Sequence, residues 1–365
     1  MSKGNIFWNF IQSGYLNNVT LFLIGLNLFF TALIFFYLYQ KKKIYFIQKG
    51  IEKSLELWIS RILLDENETE TEPAYLHIPS KFQKHFKSKT KREFTVNQLI
   101  DVKKNLTGKL VDNVIHLYEH SGFKQDSVAK FNSKAWHKKV KGINELYMMD
   151  QKDMLLSIYK QTNSHNEFIR MEAQTAMIHF CGFEGLKFLD IITHPVSEWE
   201  QLKLLEQLKT LDIAEINNLS LWLTSPNFTV VIFALKLVDV YQQYEMHDEV
   251  VECLKHKNEK VRVQAVTTLG RIAAEDTASI LAKHSYKEHF TNRQNILNSL
   301  LNIASDKEKD FLLLQLDDDN DFLKLSAARV IAKCCHNGFD ILKDKAYQQP
   351  DPYQEIYFHL KSELQ

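Results

Sequence analysis

The chain has 365 residues, enough for one large domain or two ordinary ones. Apolar residues make up 45% and charged residues 25%, with 45 basic against 45 acidic, which argues against a dedicated nucleic-acid binder and against a highly charged disordered chain. Only 11 Gly and 6 Pro supply turn punctuation, so Gly-rich nucleotide loops and many-stranded β architectures are disfavoured too.

Composition is uneven along the chain. Val19 to Tyr39 (VTLFLIGLNLFFTALIFFYLY) carries no charge. As a helix it matches the hydrocarbon thickness of a bilayer. Tyr37 and Tyr39 mark one border and Trp8 and Tyr15 lie beyond the other, where amphipathic rings favour the interface. Lys41, Lys42 and Lys43 follow at once, whereas only Lys3 precedes the run. The positive-inside rule therefore predicts an outside N-terminus and a cytoplasmic C-terminal part, in a single-pass protein of the cytoplasmic (inner) membrane. The lysines at 41–43 are candidates for contact with the membrane surface. A cleaved signal peptide fits less well, because its apolar core is shorter and its positive charge comes first. A soluble buried helix fits less well because the run has no polar face. Asn27 offers a hydrogen bond to another helix in lipid.

Ile44 to Leu64 reads as a helix running off the anchor. Ile44, Ile47, Ile51, Leu55, Trp58 and Ile62 form its apolar stripe, suited to headgroups or to another helix. Asp65 to Pro73 (DENETETEP) reads as an acidic linker. Lys81, Lys84, Lys87, Lys89, Lys91 and Arg92 then make a basic stretch with two readings, a solvated face or a contact for anionic lipid or nucleic acid. Helices are predicted over Thr95–Asn105, Leu110–His120 and about Asp126–Phe131, forming an N-terminal helical cap.

From Ala135 onward a unit of about 31 residues repeats. Asn258-Glu-Lys-Val-Arg-Val-Gln-Ala265 and Asn166-Glu-Phe-Ile-Arg-Met-Glu-Ala173 share Asn, Glu, Arg and Ala in register, and Asn320 to Ala327 follows the same template. The unit starts fall at 135, 166, 197, 227, 258, 289 and 320. Each unit reads as two short helices. Asn166, Asn227, Asn258 and Asn320 suit helix N-caps. Val261, Ala265, Leu269 and Ile272 make one apolar face, with Ile296, Leu300 and Ile303 as equivalents in the next unit. One helix pair cannot bury such a face alone, so the units must stack.

The segment His256-Lys-Asn-Glu-Lys-Val-Arg-Val-Gln-Ala-Val-Thr-Thr-Leu-Gly-Arg-Ile272 resembles HEAT repeats, the short kind also found in phycobilin-lyase-like proteins. The whole chain is similar to bacterial membrane-anchored HEAT-repeat proteins. The resemblance implies an all-α fold, an N-terminal transmembrane helix followed by a HEAT-like α-solenoid that presents a groove to another macromolecule. The expected organisation is a short outside segment at 1–18, the span at 19–40, a juxtamembrane helix and linker at 41–72, the helical cap at 73–134, the repeats at 135–349 and a C-terminal cap at 350–365.

A cation recurs at one register position, as Lys139, Arg170, Arg262, Arg293 and Lys324, with Gln201 and Val231 in the other two units. It reads either as an interaction surface for an acidic partner or as a ladder of pairs between neighbouring units. Cys181, Cys253, Cys334 and Cys335 form no C-x-x-C and read as packing residues. His116-Leu-Tyr-Glu-His120 has the H-x-x-E-H form that resembles inverted zinc peptidases, with two imidazoles for a metal and Glu119 to activate water. Leu110, Val111, Val114, Leu117 and Tyr118 claim the buried face, which leaves His116, Glu119 and His120 on the solvated one.

The expected function is a non-enzymatic scaffold that holds a protein, itself membrane-associated, at the membrane. No cofactor, small-molecule substrate or specific nucleic acid is implied. The alternatives are an enzyme (a zinc hydrolase through His116, Glu119 and His120, or a lyase-like activity) and lipid or nucleic-acid binding through Lys81–Arg92.

Overall fold

The computed structural model describes residues 14–64, 87–209, 211 and 216–364. The linker expected at Asp65–Pro73, together with Lys81, Lys84 and the segment before Gly14, lies outside the described residues. All regular structure among the described residues is helical. The chain divides into two compact units. One runs to Asn132 and takes in Met148–Asp150; the other holds Ser133–Tyr147 and everything from Gln151.

In the first unit, anchor and juxtamembrane segment are one unbroken helix, Gly14–Leu64, of 51 residues. At 1.5 Å per residue it is about 75 Å long. Side chains from Asn17 to Phe46 are exposed throughout, and the helix is long and apolar enough to cross a membrane. Burial begins one turn below the lysines. Ile51 is fully buried and Ile47 partly so, against Val96, Leu99, Leu117, Tyr118 and Phe123. Of the two sites open to the apolar stripe, it takes a protein core at these positions.

That core comes from three helices, Lys89–Lys103, Lys109–His120 and Phe123–Phe131. The first begins earlier than its apolar residues suggest, because Lys89 to Arg92 are helical too. Arg92 ties the group together. Its Nε donates to Asp126 at 2.6 Å and its other nitrogens to the carbonyls of Ser121 and Gly122. The guanidinium lies 4.7 Å from the Phe123 ring centroid.

The second unit is a stack of helical hairpins. The second helices of its repeats are Trp136–Met148, Glu167–Cys181, Glu198–Leu208, Phe228–Val240, Glu259–Leu269, Phe290–Leu300 and Asp321–Cys334. Each begins at the residue after a repeat start. Asn166, Asn227, Asn258 and Asn320 occupy N-cap positions, and their side chains accept backbone N–H groups of the first turn. Ser197 does the same within a capping box completed by Glu200. His289 takes the N-cap position without a side-chain hydrogen bond.

Phe228–Val240 packs on Glu259–Leu269, that helix on Phe290–Leu300, and that on Asp321–Cys334. Ala173, Ala234, Ala265 and Ala327 are all fully buried where the helices approach. Gly270 serves the same purpose, since a Cβ there would lie 2.9 Å from the Ser299 Cβ of the next repeat. One hydrophobic cluster runs unbroken from Met177 to Leu360 and includes Val261, Leu269, Ile296 and Leu300.

The first helices are less regular than the repeat pattern implies. Gly182–Asp190 is a 3-10 helix, and short 3-10 turns open those that continue at His247 and Lys309. At Gly185 the chain passes so close to the preceding helix that a Cβ would meet the Met177 carbonyl oxygen at 2.4 Å. The stack is closed by Gly338–Gln348 and Pro350–Leu364, with Leu360 fully buried. The Tyr353 hydroxyl donates to the Leu316 carbonyl at 2.9 Å.

Leu269→Ala removes a fully buried spine side chain. It should lower stability by about 2–5 kcal/mol, read as a fall in the urea midpoint followed by circular dichroism. Leu314→Ala, at a 56% exposed position, should stay within about 0.5 kcal/mol of wild type.

Candidate interaction surface

Three of the five recurring cations lie at joints between repeats. Arg170 is buried; its Nη2 is 3.1 Å from Glu200 of the next repeat and its Nη1 donates to the Ser164 carbonyl. Glu200 serves two ends at once, because its other oxygen accepts from the Ser197 backbone N–H at 2.7 Å. Arg262 grips Glu288 at 2.5 and 3.2 Å, and Arg293 pairs with Asp318. In each case the carboxylate belongs to, or just precedes, the start of the following second helix. Lys324 pairs within its own repeat, with Asp321 at 2.9 Å, and Lys139 is half-buried.

The two exceptions make their joints without an ion pair at this position. Gln201 donates to the Val196 carbonyl and accepts from Lys236 Nζ at 2.8 Å. Val231 is fully buried. Over this stretch a groove of about 640 Å³ opens, lined by Phe228, Ile232 and Val263 around Lys236, with Glu198 and Lys260 at its edge. Burial pulls the Lys236 ammonium below the ordinary lysine range, opposed by Glu198.

Electrostatics at the joints follow from burial set against pairing. Burial alone would raise the Glu288 carboxyl, but the hydrogen bond from Arg262 and the nearby charges outweigh it, so Glu288 titrates below the usual carboxylate range. Asp318 behaves alike, with the Asn320 backbone N–H and Arg293 overcoming its burial. The cysteines differ. Burial pushes the Cys253 thiol up to about 11 and raises Cys181, Cys334 and Cys335, which keeps all four as neutral packing groups.

His116 and His120 are exposed and Glu119 half-exposed, on the face opposite Val114, Leu117 and Tyr118. Among the described residues no group of three or more His, Cys, Asp or Glu side chains converges to hold a metal ion. The basic stretch divides. Lys87 and Lys89 are exposed, whereas Arg92 is engaged inside the first unit. Lys41, Lys42 and Lys43 are exposed on the long helix.

The largest feature missed by sequence reasoning is a row of exposed aromatic side chains. Trp136, Phe168, Trp199, Phe228, Phe290 and Phe322 each stand one or two residues after a repeat start, and each is 37–68% exposed. The fifth repeat carries Glu259 and Lys260 at these positions instead. The Trp136 and Phe168 rings stack with centroids 4.9 Å apart. Rings at that place cannot reach the spine, which is built from the opposite side of the same helices. The signal was present in the sequence, an aromatic one or two residues after six of the seven starts, but its outward direction emerges only from the packing.

Glu288→Gln should cost about 3 kcal/mol near neutral pH, since it strands a partly buried Arg262. The carboxylate's folded pKa is depressed, so its contribution is complete above the unfolded value of 4.5 and is lost as pH falls through the lower folded value. The gap between wild type and Glu288→Gln should therefore narrow below pH 4.5, measured by urea denaturation across a pH series.

Residues 247–332 match the family model for HEAT repeats. Among curated proteins no sequence matches the chain. Among solved structures, the chain is similar to an engineered protein at 13% identity and TM-score 0.36, over 76% of this chain and 87% of that one. It is similar also to the complex of CpcE and CpcF of phycocyanin lyase from Nostoc sp. PCC7120, at 10% identity and TM-score 0.25, over 82% of this chain and 98% of that one. Both likenesses are too weak to bear on function. The sequence match and the stacked hairpins agree: the chain carries HEAT repeats.

Proposed function

We propose that this protein is a single-pass, membrane-anchored scaffold whose cytoplasmic HEAT repeats hold a partner protein at the membrane, without catalysis. The observation that carries the reading is six exposed rings in the first turns of the second helices. Large apolar groups kept in water in repeat after repeat mark a surface made to be covered.

The anchor supports the rest. An exposed apolar helix followed by Lys41, Lys42 and Lys43 favours an outside N-terminus, with the lysines at the headgroups of the inner leaflet. Residues 19–40 form the span in this reading, residues 135–349 the partner-binding repeats and residues 350–365 their C-terminal cap. Confinement to the membrane surface raises the local concentration of the repeats around other membrane proteins, so modest contacts suffice for capture. Of the recurring cations, Arg170, Arg262 and Arg293 serve this function by fixing one repeat against the next, Lys139 and Lys324 remain candidates for contact with an acidic partner, and the exposed rings supply the apolar contact.

A photo-crosslinker at position 228 in intact membranes should give protein adducts, and a second crosslinker placed in the span should capture the same neighbour in the full chain and lose it when residues 135–349 are deleted. Absence of protein adducts from the row sinks the scaffold reading. Orientation has its own check. Protease added outside sealed cells should leave the repeats intact, and their digestion would reverse the topology.

A further inference from the structure

Apart from the tyrosines at its border, the uncharged run from Val19 to Tyr39 carries three clearly polar side chains, Thr20, Asn27 and Thr31. They lie in one continuous helix, spaced by seven and four residues. At about 100° per residue these steps turn the helix by about −20° and +40°, so all three fall within an arc of about 40°. Ile24, Ile34 and Leu38 complete the same face. Ile47 and Ile51, which enter the core of the first unit, lie about half a turn away on the far side of the rod. The core therefore leaves the polar face uncovered.

The Thr31 hydroxyl donates to the Asn27 carbonyl of its own helix at 2.8 Å. The Asn27 side chain is exposed, and among the described residues its amide makes no hydrogen bond. Water would satisfy it in solution. Hydrocarbon offers no partner, so an amide near the middle of a span is costly until another polar group meets it.

The chemistry of the amide selects the partner. A carboxamide holds both a donor and an acceptor, so two of them at one depth satisfy each other in two reciprocal hydrogen bonds. Copies of one chain share an insertion direction and a depth, which brings Asn27 opposite Asn27 about a two-fold axis along the bilayer normal. A different helix would need an equivalent group of its own at that level. Thr20, Ile24, Asn27, Thr31, Ile34 and Leu38 also alternate by four and three residues, the spacing at which two parallel helices crossing at about 20° keep one seam in contact. Below the span the same face carries Lys42 and Lys49, where like charges would meet, so the contact ends at the headgroups.

We propose that the chain pairs with a second copy of itself through the membrane span, as a parallel two-fold pair with the Asn27 amides hydrogen-bonded to each other at the centre of the seam. The pairing rests on the single-pass reading and adds a partner within the bilayer.

The test uses full chains carrying a donor or an acceptor fluorophore, reconstituted together in vesicles of zwitterionic lipid and diluted with lipid. Wild type should keep transferring energy at dilutions where chance encounters no longer do. Asn27→Leu should weaken association about tenfold. Phe29→Leu, half a turn away at an exposed position, should leave it unchanged. Equal association by wild type and Asn27→Leu overturns the proposal, as does an equal loss in Phe29→Leu. A photo-crosslinker at position 24 in intact membranes identifies the neighbour. Adducts of twice the chain's mass support the pairing. If the only adducts are to another protein or to lipid, the pairing falls and the anchored scaffold stands. Release of the full chain from membranes by alkaline carbonate removes both, because the helix would then not be a span.

Discussion

A hairpin of two short helices has more apolar surface than it can cover by itself, and the second unit is governed by that shortage. Each repeat buries its stripe only against its neighbours, so the cluster from Met177 to Leu360 is shared property of the whole stack. The small residues Ala173, Ala234, Ala265, Ala327 and Gly270 matter because they let one helix come close enough to the next for that sharing. The ends follow the same logic. Leu360 and Tyr353 are buried where the last helices pack on the face left by Asp321–Cys334.

Apolar contact is non-directional, and a stack held by it alone could slide. Direction comes from the polar joints. Arg170, Arg262 and Arg293 each reach a carboxylate at the next helix start, and Gln201 reaches the next repeat by accepting from Lys236 Nζ. Glu200 shows the economy of the device, since one carboxylate completes a capping box and receives the neighbour's arginine. These pairs are partly dry, so removing one partner would strand the other away from water.

What was legible in the sequence was what is local. Asn166, Asn227, Asn258 and Asn320 announce helix starts because an N-cap bond closes within three residues. The spine positions showed through helical spacing. The cations were visible as a column, but their partners were not. Glu200, Glu288 and Asp318 sit at different offsets from their repeat starts, and only the stack brings them opposite the arginines. The aromatic row was hidden for the reverse reason. Trp199 or Phe322 near a helix start reads like any packing residue until the direction of the helix axis is known. The 3-10 character of Gly182–Asp190 was equally silent, because it comes from Gly185 meeting the preceding helix rather than from a local preference. In the first unit, the union of anchor and juxtamembrane segment into one helix followed from the lack of any Pro between Gly14 and Leu64, and the seat for Ile51 had to come from tertiary packing.

An unbroken rod that enters a folded cap behaves as an axle. With no break in the helix between its exposed apolar stretch and Ile51, the rotation of the rod about its own axis is set by the core that receives Ile51. The face that carries Asn27 and Thr31 is thereby fixed relative to that core. Each residue of a helix turns the chain by about 100°, so adding one residue anywhere between Tyr39 and Ile47 would swing that face by more than a quarter of a circle. The length of this short connection is therefore a phase setting, which fixes the direction of the long apolar face relative to the core around Ile51.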